Sequence, residues 1–180
     1  MKTSSITKIA FIAMIYTCSI MACPDELLLI RHAEKIEGTK QLSVAGKARA
    51  QTLPVFFMTP NPHFKQPTFV TALVDSSNRP RKTCKPTAEA LGLKLNLNYS
   101  IPDTKNGNMA RYLLRQSGIG LVCLEHTIIR NLVSSLTEDK VDLSRWPDNV
   151  FNRVIILHFK TVKGKCQFQY YENILQPENK

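Results

Sequence analysis

Apolar residues in this chain come in short unbroken runs separated by segments of mixed polarity. Residues 26–30 end in Leu27-Leu28-Leu29-Ile30, residues 120–124 read Gly-Leu-Val-Cys-Leu, and residues 154–159 read Val-Ile-Ile-Leu-His-Phe. Runs of this length bounded by polar residues suit strands of a sheet covered on both faces. Residues 68–74 and, more weakly, 94–98 predict two further strands. Residues 167–171 predict a last one, turning back on 154–159 around Lys163-Gly164-Lys165. The segments between have helical character. Ser43 is a suitable N-cap for a helix toward Phe57, bent or ended by Pro54. Pro80 opens a helix with Cys84, Thr87, Ala88 and Leu91 on one face, kinked at Pro86 and stopped by Gly92. Residues 109–115 predict another helix. Ile128, Ile129, Leu132, Val133 and Leu136 form the core-facing stripe of a further one. Strand–helix alternation predicts a three-layer α/β fold, a mainly parallel sheet with helices on both faces. No repeat or long linker divides residues 23–180, which are expected to form one domain.

The N-terminus has a different pattern. Lys2 and Lys8 precede an uncharged run that ends at Ala22-Cys23. This predicts a secretory signal over residues 1–22, too short to span a membrane comfortably, and export to a periplasm or beyond. Ile20-Met21-Ala22-Cys23 is also similar to a bacterial lipobox, which would place a lipid anchor at Cys23. Met21 is uncommon in that motif, so ordinary cleavage is the favoured reading. Hydrophobic residues are 43% of the chain and charged residues 21%, enough apolar material for a packed core. The first 22 residues hold two lysines and no acid, so the remainder carries +8 against +10 for the whole chain. That excess suits small anionic substrates. No dense basic run or aromatic-interleaved basic stripe singles out nucleic acid. Cys23, Cys84, Cys123 and Cys166 match no zinc spacing, and Cys123 reads as a core residue. One disulfide is compatible with an oxidising compartment, and the spacing leaves its pairing open.

Charge is concentrated where predicted strands stop. The first run delivers Arg31-His32, the second leads into Ser76-Ser77-Asn78-Arg79, and Gly-Leu-Val-Cys-Leu delivers Glu125-His126. In open parallel sheets ligands bind beyond the carboxyl ends of the strands. Two arginines, two histidines and helix N-termini gathered there describe a phosphate site, because guanidinium groups offer permanent charge and planar paired donors.

The motifs LLLIRHAEK, LSVAGKARA, SSNRPRKTCKPTAEALGL and GLVCLEHTIIRNL, in that order over residues 26–136, resemble the histidine phosphatase superfamily. The resemblance is nearest to small bacterial members that start Arg-His-Ala-Glu-Lys, and RWPDNVFNRVIILHF is similar to the end of that subgroup. Arg31-His32 matches the family signature. Leu42, Gly46, Arg49 and Ala50 match its following helix start, Arg79 and Thr83 its second arginine and threonine, and His126 its second histidine. The resemblance implies a phosphoglycerate mutase-like fold and a phosphatase acting without metal or cofactor. His32 would be phosphorylated and then hydrolysed, with Arg31, Arg79 and protonated His126 neutralising the phosphoryl oxygens. Arg31, Arg79, His126, Glu34 and Ser77 are the expected substrate-binding residues.

The proton donor for the leaving group matches no family position. Thr127 stands where one branch has Asp after the second histidine, and the mutase branch's glutamate insert has no counterpart. Asp103 is the expected candidate. Glu125 is set aside because side chains alternate faces along an extended strand. Arg49 and Arg81 read as surface or rim charges, His63 as a solvated loop residue, His158 as a sheet residue and Trp146 as part of a satellite core. Two alternatives to a phosphatase are a non-catalytic phosphate- or partner-binding module and, less favoured, a phosphomutase.

Overall fold

A computed structural model describes residues 22–176. The expected leader lies outside the described residues except for Ala22. In chain order the elements are β1 (Pro24–Arg31), α1 (Val44–Met58), β2 (Phe69–Ala72), α2 (Arg79–Ala90), β3 (Leu95–Asn96), α3 (Ile101–Lys105), α4 (Asn108–Leu113), β4 (Gly118–Leu124), α5 (His126–Thr137), β5 (Arg153–Val162) and β6 (Lys165–Leu175). The strands form one sheet in the order β3-β2-β4-β1-β5-β6. The first four are mutually parallel, whereas β5 pairs antiparallel with both β1 and β6. The sheet is therefore mixed, a parallel block extended by an antiparallel hairpin.

The leucine run of β1 explains the layering. Alternate side chains of a strand point to opposite faces. Leu28 and Ile30 pack with Leu53 and Phe57 of α1 and Cys84 and Ala88 of α2. Leu27 and Leu29 pack with Leu113 of α4 and Ile129, Leu132 and Leu136 of α5. Both faces are thus buried, which requires a continuous apolar run instead of an alternating one. Each of these side chains contributes about 1.5–3 kcal/mol. Trp146 belongs to the α4–α5 core and not to a satellite, and its indole N–H donates to the Val150 carbonyl at 2.7 Å.

Ser43 caps α1, its hydroxyl accepting from the Gly46 N–H at 3.0 Å. Pro54 does not end that helix, which continues to Met58 because Leu53 and Phe57 are both buried against the sheet. Pro86 likewise lies within α2. The β5–β6 hairpin turns through Lys163 and Gly164, both at positive φ, the geometry that matches the twist of paired strands. The hairpin is longer than the apolar pattern suggests because backbone pairing continues past its apolar centre. His63 is no free loop residue: it and His158 reach Glu172 of β6 at 2.7 and 3.1 Å.

The structure also resolves the cysteines. Cys23 and Cys166 form a disulfide across a sequence separation of 143, joining the start of the central strand to the edge strand β6. By chain entropy a closure of this length contributes about 5 kcal/mol. Cys84 and Cys123 are buried free thiols. Among the described residues no helix is long and apolar enough to cross a membrane.

Candidate active site

Strands β2, β4 and β1 are neighbours, so their carboxyl ends share one edge of the sheet. That edge brings together Arg31, His32, Arg79 and His126, residues almost a hundred positions apart in sequence. The Leu124 carbonyl of β4 accepts the His32 N–H at 2.8 Å, and the Cys123 carbonyl accepts that of Leu73 at 2.9 Å.

His32 is 1% exposed. Its Nδ1 lies 2.7 Å from its neighbour Ala33's carbonyl oxygen. A carbonyl can only accept, so Nδ1 carries the proton and Nε2 keeps its lone pair. Nε2 is buried with no hydrogen-bond partner among the described residues. Burial pushes the His32 pKa down to about 4; the hydrogen bond to Ala33 opposes that shift, and Arg79 and Arg31 reinforce it. The ring is therefore neutral at physiological pH.

Arg31 is also 1% exposed. One guanidinium nitrogen, Nη1, donates to the carbonyls of Pro147, Asp148 and Val150 at 3.3, 2.7 and 3.1 Å, and the Phe151 ring lies 3.9 Å away beneath the group. Nε and Nη2 are buried and find no acceptor among the described residues. Burial lowers the Arg31 pKa against the pull of Glu125 and Asp148. A guanidinium remains charged under such a shift. Permanent positive charge and unused buried donors next to an imidazole lone pair suit a phosphoryl group.

Arg79 is oriented by its own turn. Asp75 accepts from the N–H groups of Ser77 and Asn78 and from the Ser77 hydroxyl, and the Ser77 oxygen in turn accepts from Arg79 Nε at 3.0 Å. Ser77, expected to touch substrate, positions the guanidinium. Asp75 was legible in principle, since Asp before Ser-Ser-Asn is a side-chain-closed turn. Thr83 connects this helix to the nucleophile loop: it donates to the Arg79 carbonyl and accepts from the Ala33 N–H, both at 2.9 Å.

The motif Leu42–Ala50 serves the same loop. Leu42 and Ala50 enclose Ala33. A Cβ on Gly46 would stand 2.1 Å from the Glu34 carbonyl oxygen, so only glycine lets α1 approach this closely. Arg49 grips the Glu34 carboxylate with Nε at 2.9 and 3.0 Å and Nη2 at 2.6 Å, its side chain only 12% exposed. It is a structural clamp as well as a rim charge, and Glu34 is its partner. Gly46→Ala is expected to cost about 1–3 kcal/mol, as overpacking does, and to lower turnover by displacing His32. Thermal unfolding and kinetics on one preparation check both.

Two expectations need correcting. Asp103 caps α3: it accepts from the Ser100 N–H and hydroxyl and from Asn108, bonds that hold its pKa below the usual carboxylate range. None of these bonds reaches Arg31, His32, Arg79 or His126. Glu125 does face His126, 2.5 Å from its Nδ1. The alternation argument fails because Glu125 is the N-cap of α5, where the extended strand has already ended. Burial pushes the Glu125 pKa up, but hydrogen bonds from the Thr127 N–H and hydroxyl, with His126 and His32 nearby, bring it down overall. Asp148 is a site residue whose partner was not legible in the sequence: it reaches His126 Nε2 at 2.8 Å from the loop between α5 and β5. That contact, and next Arg145 and Arg31, hold its pKa low. Beside the cluster a recess of about 440 Å³ is lined by Glu34, Ala45, Ala48, Arg49, Asn149, Phe151 and Asn152.

No protein-family model and no curated protein matches the sequence. Solved structures do. A mycobacterial glucosyl-3-phosphoglycerate phosphatase superposes with a TM-score of 0.58 at 10% identity, over 84% of this chain and 97% of that one. The protein histidine phosphatase SixA, solved with tungstate, gives 0.53 at 12% identity over 81% and 95%. A further structure from Agrobacterium tumefaciens, assigned as a SixA phosphohistidine phosphatase, gives 0.52 at 15% over 86% and 99%. The chain has the histidine phosphatase fold. The parallel block β3-β2-β4-β1 with helices on both faces is this fold's phosphoglycerate mutase-like architecture. In this histidine phosphatase fold the cluster at the β2, β4 and β1 ends occupies the strand edge where open α/β sheets bind ligands.

Proposed function

We propose that the protein is an exported phosphatase that hydrolyses phosphate monoesters through a phosphohistidine on His32. One observation carries this reading: His32 Nε2 and Arg31 Nε and Nη2 are buried together without a hydrogen-bond partner among the described residues. A buried polar atom with no partner is costly. Here an imidazole lone pair and two cationic donors are kept in that condition at the end of one strand, which a phosphoryl group would relieve.

In the proposed reaction Arg31 and Arg79 hold the phosphoryl oxygens, and His32 Nε2 attacks phosphorus as the bond to the alcohol breaks. Water then displaces the histidine and releases phosphate. Preoriented cationic donors supply most of the stabilisation in such transfers. The recess beside Phe151 has room for the alcohol portion. Each step uses side chains of this chain alone.

Export is part of the proposal, supported by the Cys23–Cys166 disulfide, since such bonds persist in oxidising compartments. A Cys23 thiol held in a disulfide is not free to form a lipid thioether, which favours simple cleavage before Cys23. The test is phosphate release by the purified protein over a panel of alkyl, aryl and acyl phosphates, with and without chelator. Chelator-resistant turnover supports the reading. A folded protein that binds tungstate and turns over nothing is a binding module instead.

A further inference from the structure

We propose that His126 is the proton donor to the leaving oxygen and, in the second half-reaction, the base for the attacking water. This rests on the phosphatase reading above. It begins with the carboxylates around the cluster, each of which is already engaged as an acceptor. Glu34 accepts from Arg49, and Asp103 from Ser100 and Asn108. Glu125 accepts from the Thr127 N–H and hydroxyl. Asp148 lies against His126 Nε2 at 2.8 Å. A carboxyl group that only accepts is ionised and has no proton to give. The low pKa values of Glu125, Asp148 and Asp103 agree with that geometry. Arginines do not release protons, and His32 is the nucleophile.

His126 remains. Its side chain is 12% exposed, with Glu125 Oε1 2.5 Å from Nδ1 and Asp148 Oδ1 2.8 Å from Nε2. Asp148 pairs with Nε2, and the Glu125 carboxylate stands at ion-pair distance from Nδ1 without a hydrogen bond to it, so the two carboxylates complement a charged ring. Arg145 and Arg31 act on Asp148 from its outer and inner sides. Glu125 is fixed as a helix cap, whereas Asp148 is 70% exposed on a loop, so the Nε2 side is the one a substrate can take over. Asp148 is thus a positioning residue that presents Nε2–H before substrate arrives.

The steps balance. His32 Nε2 bonds to phosphorus, the bond from phosphorus to the alcohol oxygen breaks, and that oxygen takes the proton from His126 Nε2. Neutral His126 then removes a proton from the attacking water as the phosphorus–His32 bond breaks. Phosphate leaves and both histidines return to their starting forms.

The test compares His126→Gln with the unaltered protein on an alkyl phosphate and on acetyl phosphate. An alkoxide needs a proton on departure; acetate does not. Glutamine can still donate a hydrogen bond to phosphate but transfers no proton. A lost proton donor costs about 10²–10⁴-fold. The alkyl-to-acetyl ratio of kcat/KM is therefore expected to fall by at least ~10². Equal losses on both substrates would reduce His126 to a charge and overturn the proposal. A selective loss in Asp148→Asn with none in His126→Gln would make Asp148 the donor. Should His126→Gln not fold, aryl phosphates of rising leaving-group pKa decide on the unaltered protein: a shallow dependence is expected, and a steep one rules out any donor. Absence of turnover by the unaltered protein on both substrates would instead overturn the phosphatase reading itself.

Discussion

His32→Ala is expected to reduce phosphate release by at least ~10⁴-fold, the scale on which removing a nucleophile acts, while the protein still binds tungstate. Arg31 and Arg79 remain in that variant, so the anion site survives without its attacking lone pair. Activity of His32→Ala within tenfold of the unaltered protein would remove His32 from the mechanism. The same ring sets a pH dependence. Its folded pKa is about 4 against an ordinary 6.5. Between those values the unfolded chain binds a proton that the folded protein does not. Stability therefore rises with pH across that window and falls as pH drops from 6.5 toward 4, by at most about 3 kcal/mol. Above 6.5 both states are neutral and the effect ends. Urea unfolding at several pH values should show this slope in the unaltered protein and lose His32's share of it in His32→Ala. The attacking form of His32 should likewise stay populated down to about pH 4.

Arg31→Lys is expected to damage activity severely, though less than His32→Ala, even though it keeps the charge. The arginine divides its nitrogens: Nη1 ties three carbonyls of the loop at residues 147–150, and Nε and Nη2 stay unused beside His32. An ammonium is a single point with no fork, so it can serve the loop or the phosphoryl group but not both geometries. Losing one preorganised donor costs about 10²–10³-fold in kcat. Leaving loop carbonyls unsatisfied costs about 1–3 kcal/mol in stability. Kinetics together with a thermal melt separate the two effects. A variant with unaltered kcat/KM would show that Arg31 is a structural anchor only.

Reading the sequence worked where a short segment carries its own physical signature. The leucine run of β1, the Ser43 cap, the stripe of α5 and the Lys163-Gly164 turn each follow from local periodicity or backbone chemistry. Arg31, His32, Arg79 and His126 were legible because strand ends deliver them in characteristic short motifs. Asp103 was misread because a carboxylate three residues after Ser100 is equally a helix cap. Glu125 was misread because one residue's difference in where a strand ends reverses the direction of a side chain. Asp148, Phe151, Arg49 and Glu34 lie within quoted motifs, but their partners were not legible, since each acts across a turn or on a residue far along the chain.

The sequence by itself determined the α/β alternation, the burial of both sheet faces and which charged residues stand at the strand ends, because those depend on near neighbours. Only the tertiary structure decided the antiparallel docking of the hairpin's first strand against β1, the pairing of Cys23 with Cys166, the choice of Nε2 as the free nitrogen of His32, and the carboxylates on either side of His126. The orientations of His32 toward Ala33 and of Glu125 toward His126 are set by the backbone where each strand ends. The disulfide and the reach of Asp148 to His126 are distances between residues remote in sequence, which exist only once the sheet order has brought the strand ends together.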